Sequence, residues 1–218
     1  MDSRTQLLDL LATLSFTLGD FTLASGQKSD YYIDCRVTTL HAEGGRLSGI
    51  VLLDLIRQHF PEAVAIGGLT MGADPLVSNT ASASAWEFAD HTEFRELAPE
   101  EDHGEAPSLV HGFLVRKAEK THGTGRRIEG FKQPGAQVVI VDDVCTTGGS
   151  TITAIEASRE AGMHVLGILC LVDREQGGRL QIERALAEVP SEQNPLFISV
   201  FTANDVRQAK SRLAQEIR

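Results

Sequence analysis

The residues best suited to chemistry lie in Val138–Thr151, VVIVDDVCTTGGST, where an apolar run ends in two carboxylates followed by hydroxyls and glycines. A continuous apolar run reads as a strand buried on both faces, and open α/β sheets bind ligands beyond the carboxyl ends of such strands. Gly148 and Gly149 let backbone amides approach a phosphate with no Cβ in the way. A helix opening there supplies unpaired N–H groups and positive partial charge. Thr146, Thr147, Ser150 and Thr151 are expected to add hydroxyl donors. The loop lacks the lysine of a Walker A sequence, and its glycines are not spaced as GxGxxG. Asp142 and Asp143 would repel a phosphate, so they are expected to face vicinal hydroxyls instead. A sugar phosphate satisfies both halves of the motif. The plainer alternative, a helix start where Asp and Thr act only as caps, explains one such residue but not the run.

Cations concentrate just upstream. Arg116, Lys117, Lys120, Arg126, Arg127 and Lys132 are six of the chain's twenty Lys and Arg residues. Gly123, Gly125, Gly130 and Pro134 discourage regular structure over 118–134, so the segment reads as a mobile loop. Cations and glycines on a loop suit a lid that closes on a polyphosphate and excludes water; the alternative is a solvated basic loop. Arg174 follows the apolar run HVLGILCLVD, at the same sheet edge as Asp142. A guanidinium there can chelate planar carbonyl edges bidentately.

These residues need a scaffold to converge. Leucines at helical spacing predict a helix over about 3–17, and FTLASGQKSDYYIDCR predicts two short strands around a turn at Ser25–Asp30. A second helix is expected from His41 to His59, then a strand at Val64–Leu69 and a helix opening near Pro75. Ser78–Ser108 reads as the least regular part, with Asp90–Pro107 a solvated surface excursion before a strand at His111–Arg116. From Gln137 buried apolar strands alternate with helices, including Arg179–Glu188 and a last helix capped by Asn204. Such alternation means parallel βαβ units with right-handed crossovers, hence an α/β fold with a central, mainly parallel sheet flanked by helices. The 218 residues suit a single domain.

The net charge of −10, with acid gathered in Glu87–Glu105, argues against nonspecific nucleic-acid binding. No stretch approaches 18 apolar residues, which argues against a membrane span. The N-terminus lacks a basic region and a cleavage site, so no secretion signal is expected. Cys35, Cys145 and Cys170 are scattered, odd in number and without CxxC spacing. Reduced thiols in the cytoplasm are expected, with neither a disulfide framework nor a zinc site.

VVIVDDVCTTGGST resembles the phosphoribosyl pyrophosphate signature of the type I phosphoribosyltransferases. The resemblance implies that Asp142, Asp143, Val144, Cys145, Thr146, Thr147, Gly148, Gly149 and Ser150 hold the ribose and its 5-phosphate. Other segments select the base. VRKAEKTHG (Val115–Gly123) resembles the mobile loop of the orotate enzymes, making Arg116, Lys117, Lys120 and His122 pyrophosphate ligands reaching across a dimer interface. FTLASGQKSDYYID is similar to that family's base-binding hairpin and implies an N-terminal hood over about 1–40. Tyr32 and Ile33 would then flank the base, with Thr146 and Arg174 as further orotate contacts. Many relatives carry Lys where Ala24 stands, and Lys28 is the candidate to replace it. Gly67–Leu76 resembles the pyrophosphate-side loop; Met71 stands where some relatives have Lys, so backbone contacts are expected. Residues 86–107 match nothing in the family pattern and are expected to be an insertion.

By this resemblance the chain is a cytoplasmic homodimer with shared active sites, transferring the 5-phosphoribosyl group to orotate. The products are orotidine 5'-monophosphate and pyrophosphate. Lys120, His122, Asp142 and Asp143 carry the catalysis, and Mg²⁺ is expected as cofactor, held mainly through substrate and water rather than by a protein metal site. No nucleic-acid or membrane partner is implied. Rival readings are a purine or uracil phosphoribosyltransferase and a regulator that only senses phosphoribosyl pyrophosphate. The Arg116–His122 loop speaks against the first, and the lack of a basic helix-turn-helix before Asp20 against the second.

Overall fold

The computed structural model describes residues 2–22, 28–97, 104–117, 127–187 and 196–216. Helix α1 (Ser3–Leu10) opens at Asp2, whose carboxylate accepts the Thr5 N–H at 2.8 Å, and runs into a π-helical turn at Leu11–Ser15. It stops short of the expected end at 17. Phe16 is already extended, because its buried ring stacks on Tyr31 across a hairpin. That hairpin pairs β1 (Phe16–Thr22) with β2 (Lys28–Ile33) antiparallel. Lys28–Asp30, assigned above to the turn, belong to β2, where the register places Lys28 opposite Thr22. Residues 23–27, with Ala24 and Ser25, lie outside the described residues.

After the short α2 (Arg36–Thr39), helix α3 (Ala42–His59) is capped by His41 and ends at Phe60, before Pro61. Then come β3 (Ala65–Leu69), α4 (Ala73–Leu97), β4 (His111–Val115), β5 (Ile128–Gly130), β6 (Gln137–Cys145) and α5 (Gly149–Glu160). The chain continues through β7 (His164–Asp173), α6 (Gly178–Ala187), β8 (Leu196–Thr202) and α7 (Ala203–Glu216). Six strands form one sheet in the order β5-β4-β3-β6-β7-β8, parallel throughout except for β5. This is the expected α/β architecture.

Three expectations are corrected. The solvated excursion at Asp90–Pro107 is helical as far as Leu97, because α4 runs unbroken from Ala73. Its last turns are exposed and carry no apolar periodicity, yet Glu93, Arg95, Glu96 and Leu97 are good helix formers and no Gly or Pro interrupts them. Arg57 of α3 fastens this part by donating to Glu87 and to the Ser108 carbonyl. Within the proposed loop 118–134, Ile128–Gly130 is a strand on β4, with Ile128 buried. Residues 118–126 lie outside the described residues. Finally, Thr202 rather than Asn204 caps α7. Its hydroxyl accepts the Asp205 N–H at 3.1 Å while Asp205 accepts the Thr202 N–H at 2.8 Å, a reciprocal capping box.

The core divides by the alternation of β6. Val139 and Val141 face the layer of α1, α3, α4 and α7 with Leu52, Ile56 and Val206, whereas Val138 and Ile140 face Ile155, Ile182 and Phe113. At each apolar side chain buried this way about 1.5–3 kcal/mol favours the fold. Between β3 and β6 the packing leaves no room for a side chain at Gly68. A Cβ there would sit 2.2 Å from the Val141 carbonyl oxygen and 2.5 Å from the Ala73 Cβ. Gly68→Ala is therefore expected to destabilise the protein by roughly 1–3 kcal/mol, the usual range for overpacking. Urea denaturation with an unchanged midpoint would contradict this close approach.

Candidate active site

The chain leaves β3 toward β4 on one side of the sheet and leaves β6 toward β7 on the other. β3 and β6 are neighbours, so their carboxyl ends diverge and open a crevice at a topological switch point. A cleft of about 960 Å³ lies there. The β3–α4 turn supplies Thr70, Met71 and Gly72; β6 and its loop supply Asp142, Asp143, Val144, Thr146 and Ser150. β2 and its end add Tyr32, Ile33, Asp34 and Arg36; β4 and β5 add Arg116, Lys117 and Glu129; Arg174 closes the far end. The turn after β3 comes so near the acidic pair that a Cβ on Gly72 would stand 2.2 Å from Asp143 Oδ1. Backbone, not side chain, is what this turn offers beside Asp143.

Burial sets the electrostatics of the pair. Desolvation pushes the Asp142 carboxyl up to about 7 and raises Asp143 as well, each carboxylate being costly to charge in so dry a place. The Thr151 hydroxyl opposes this by donating to Asp142 Oδ2 at 2.6 Å, and Asp142 Oδ1 accepts the Asp143 N–H at 3.1 Å. Asp143 Oδ1 accepts the Val144 N–H at 3.0 Å. Thr151 is thus not a ligand donor, as expected from sequence, but a buried partner of Asp142. A group whose folded value lies above its ordinary 3.8 favours the fold when protonated. That stabilisation is present below about 4 and is lost as the pH rises through about 7.

Gly148 stands at the start of α5 with φ of 82° and no side-chain cap. A Cβ at this position would press on the Gly178 carbonyl at 2.9 Å, so both conformation and space demand glycine. The first N–H groups of α5 consequently lack the side-chain acceptor that the capping alternative required, and they are available to an anion. Thr147, Gly149 and Ser150 are exposed on this turn, with Ser150 on the cleft wall. The Cys145 thiol is fully buried, close to Gly178, and its backbone carbonyl accepts the Arg174 N–H at 2.9 Å.

Arg174 is buried rather than a surface residue, and its Nη2 donates to Ser29 Oγ at 3.2 Å. Tyr32 stands half exposed against Phe21, while Ile33 is buried beneath the cleft. Lys28 does not reach the cleft; it lines a separate recess at the hairpin tip with Asp20 and Asp30. Lys120 and His122 lie outside the described residues. Of the cationic cluster, Arg116 and Lys117 line the cleft, whereas Arg127 turns to Glu160 at 3.0 Å. Sequence reasoning missed Asp34 and Arg36. Arg36 binds Asp34 bidentately at 2.8 Å and places a fixed cation near Asp143. The only signal was an Asp-x-Arg spacing directly after the apolar Ile33.

Because the Thr151 hydroxyl holds the Asp142 carboxylate in its charged form, Thr151→Val should move the Asp142 titration further up. A hydrogen bond to a charged group contributes about 1.5–3 kcal/mol, so a shift of roughly one pH unit or more is expected. Carboxyl ¹³C NMR reads this directly, and an unmoved or lowered titration would refute the role of Thr151.

A family model described as the phosphoribosyl transferase domain matches residues 115–204, from the end of β4 to the start of α7. The chain is similar to an orotate phosphoribosyltransferase of Synechocystis sp., with 41% identity over 94% of this chain and 89% of that protein. Its fold resembles the crystal structure of Mycobacterium tuberculosis H37Rv orotate phosphoribosyltransferase in complex with Fe(III) dicitrate (TM-score 0.70, 32% identity, 94% of this chain and 99% of that one). The same Mycobacterium tuberculosis enzyme in complex with 5-phospho-alpha-D-ribosyl 1-diphosphate matches with a TM-score of 0.67 and 29% identity over 94% and 99% of the two chains. A sheet with its crevice at the β3/β6 switch point, an acidic pair before a glycine turn, and this similarity along nearly the whole sequence converge: the chain belongs to the orotate phosphoribosyltransferase family.

Proposed function

We propose that the cleft between β3 and β6 is where this chain transfers a phosphoribosyl group to orotate, with the ribose on Asp142 and Asp143 and the base beneath β2. The observation that carries this reading is the meeting, in one cleft, of the Asp142–Ser150 loop with Tyr32, Ile33 and Arg174 on one side and Arg116 and Lys117 on the other. The 5-phosphate lies on the turn Thr146–Ser150 and the uncapped start of α5. Vicinal ribose hydroxyls donate to the Asp142 and Asp143 carboxylates. Arg174 reads the planar edge of the base. A base nitrogen gives up its proton to solvent and bonds to ribose C1 as the bond to pyrophosphate oxygen breaks, the electron pair leaving with pyrophosphate, on which charge grows. Arg116 and Lys117 on the cleft wall stabilise that charge electrostatically, and under the shared-site reading Lys120 and His122 of the same loop act on the leaving group in the partner's cleft.

The donor set suits Mg²⁺ held largely by others. Among the described residues no three His, Cys, Asp or Glu side chains converge on one point. Asp142 and Asp143 present hard oxygen ligands, but burial and existing hydrogen bonds leave them fit to meet a cation through water or ribose hydroxyls. When bound, the ion would neutralise pyrophosphate charge. We further read the chain as one domain, with residues 1–40 as the hood and 86–107 as an addition, acting in the cytoplasm as a homodimer with shared sites. No helix among the described residues is long and apolar enough to cross a membrane.

Two measurements test the reading. Calorimetry of Arg174→Ala should show orotate affinity falling by roughly 1.5–3 kcal/mol, the size of a lost charge-assisted hydrogen bond, with phosphoribosyl pyrophosphate bound as before. Equal losses for both ligands would place Arg174 elsewhere. The shared-site model predicts complementation between inactive variants. Lys120→Ala and an Asp142→Asn/Asp143→Asn double variant, dissociated and reassociated together, should recover about a quarter of wild-type activity under two-fold pairing. One site of each mixed dimer then carries both defects and the other neither. With subunit exchange verified independently, no recovery would show that the loop serves its own protomer.

A further inference from the structure

Arg174 is held in an unusual way for a buried guanidinium. Among the described residues no carboxylate pairs with it; its Nη2 donates to the neutral Ser29 hydroxyl at 3.2 Å, and its Nε, buried, finds no partner. The rest of its support is the ring of Tyr31, whose centroid lies 4.7 Å from the Arg174 Cζ. Ser29 and Tyr31 are themselves linked, the Ser29 hydroxyl donating to the Tyr31 carbonyl at 2.7 Å. The direction of the Arg174 fork therefore depends on where β2 holds two uncharged side chains.

A second arginine acts on the same ring. Arg207 of α7 has its Cζ 5.0 Å from the Tyr31 centroid, and both of its terminal nitrogens donate to Asp30, at 2.8 Å each. Phe16 stacks on Tyr31 as well, with 5.3 Å between centroids. An ion pair as exposed as Asp30–Arg207 adds little to stability by itself. Its bidentate geometry does something else, fixing the plane and place of a guanidinium that rests on Tyr31. α7 follows β8, which lies beside β7 in the sheet, and β7 ends directly before Arg174. The hairpin is thus referenced to the same rigid layer that carries the base-side arginine.

We propose that Arg207, with Asp30, is a positioning residue for the base. It holds the Tyr31 ring in register with Arg174 from outside the cleft, so that the buried fork is set before orotate arrives. The inference rests on the reading of Arg174 as the residue that recognises orotate, and it assigns α7 a part in selecting the base.

Steady-state kinetics on the full-length enzyme separate this from a general structural role. Arg207→Ala should raise the KM for orotate roughly threefold to tenfold, the range for one displaced cation–ring contact and its ion pair. The KM for phosphoribosyl pyrophosphate and kcat should stay within about twofold. Asp30→Asn should move the orotate KM in the same direction, and Tyr31→Phe, which keeps the ring, should remain close to wild type. Tyr31→Leu should match Arg207→Ala, and the two together should be clearly less than additive. A wild-type orotate KM for Arg207→Ala overturns the proposal, as do equal rises for both substrates or additive effects with Tyr31→Leu. Arg174→Ala run in parallel keeps the two ideas apart. If it raises the orotate KM while Arg207→Ala does not, only the positioning role fails; if it leaves orotate untouched, the base-reading assignment fails and the positioning role with it.

Discussion

The site is organised by the removal of two adjacent carboxylates from water at the end of a buried strand. Asp142 and Asp143 sit where β6 leaves the core, and desolvation raises both. Three backbone segments must come close for this burial to be tolerable. The turn after β3 approaches at Gly72, β3 itself lies against the Val141 carbonyl at Gly68, and the turn before α5 folds onto Gly178 at Gly148. The hydrogen bonds that make the acids tenable come from β6 itself, through the Asp143 and Val144 N–H groups, and from the Thr151 hydroxyl on the first turn of α5. The start of α5 and the acidic pair are therefore one construction: the helix leaves its first N–H groups without a side-chain cap and donates a hydroxyl to Asp142.

Charge is divided accordingly. In a chain of net charge −10, four cations meet at the cleft: Arg116 and Lys117 on the β4 wall, Arg36 beside Asp143 and Arg174 at the far end. The acids Asp142 and Asp143 lie between them. Such alternation lets a molecule with an anionic end, a neutral sugar and a planar base find complementary charge along its whole length, which a uniformly basic surface would not discriminate.

The N-terminal hairpin is joined to this arrangement mainly through rings. Phe16, Tyr31, Arg174 and Arg207 form a contiguous stack that connects β1, β2, the end of β7 and α7. Aromatic rings bring a large apolar area with specific stacking geometry, and a planar guanidinium lies well against a ring face. A small two-stranded hairpin is only marginally stable on its own, so its order depends on such docking. That dependence makes the geometry around Arg174 a property of the whole protein.

The local and the continuous were legible in the sequence. Apolar runs at β6 and β7 and the glycine turn at Gly148 declared a parallel sheet and a helix opening directly after the acidic pair Asp142 and Asp143, because each is written in adjacent residues. The family resemblance extended that reading to Arg174 and to Tyr32 and Ile33, all of which line the cleft. What sequence could not decide was partnership across distance. Thr151 reads as one more hydroxyl, and its donation to Asp142 follows only from the turn of α5 against β6. Lys28 reads as a base contact until the β1–β2 register carries it to the hairpin tip. Ile128–Gly130 has too little pattern to announce a strand until β4 offers an unpaired edge, and Asp30 and Arg207 are 177 positions apart. Periodicity and motif spacing encode which groups exist and on which element. Which of them meet is settled by sheet order and helix docking, where the energy of a contact depends on neighbours far away in the chain.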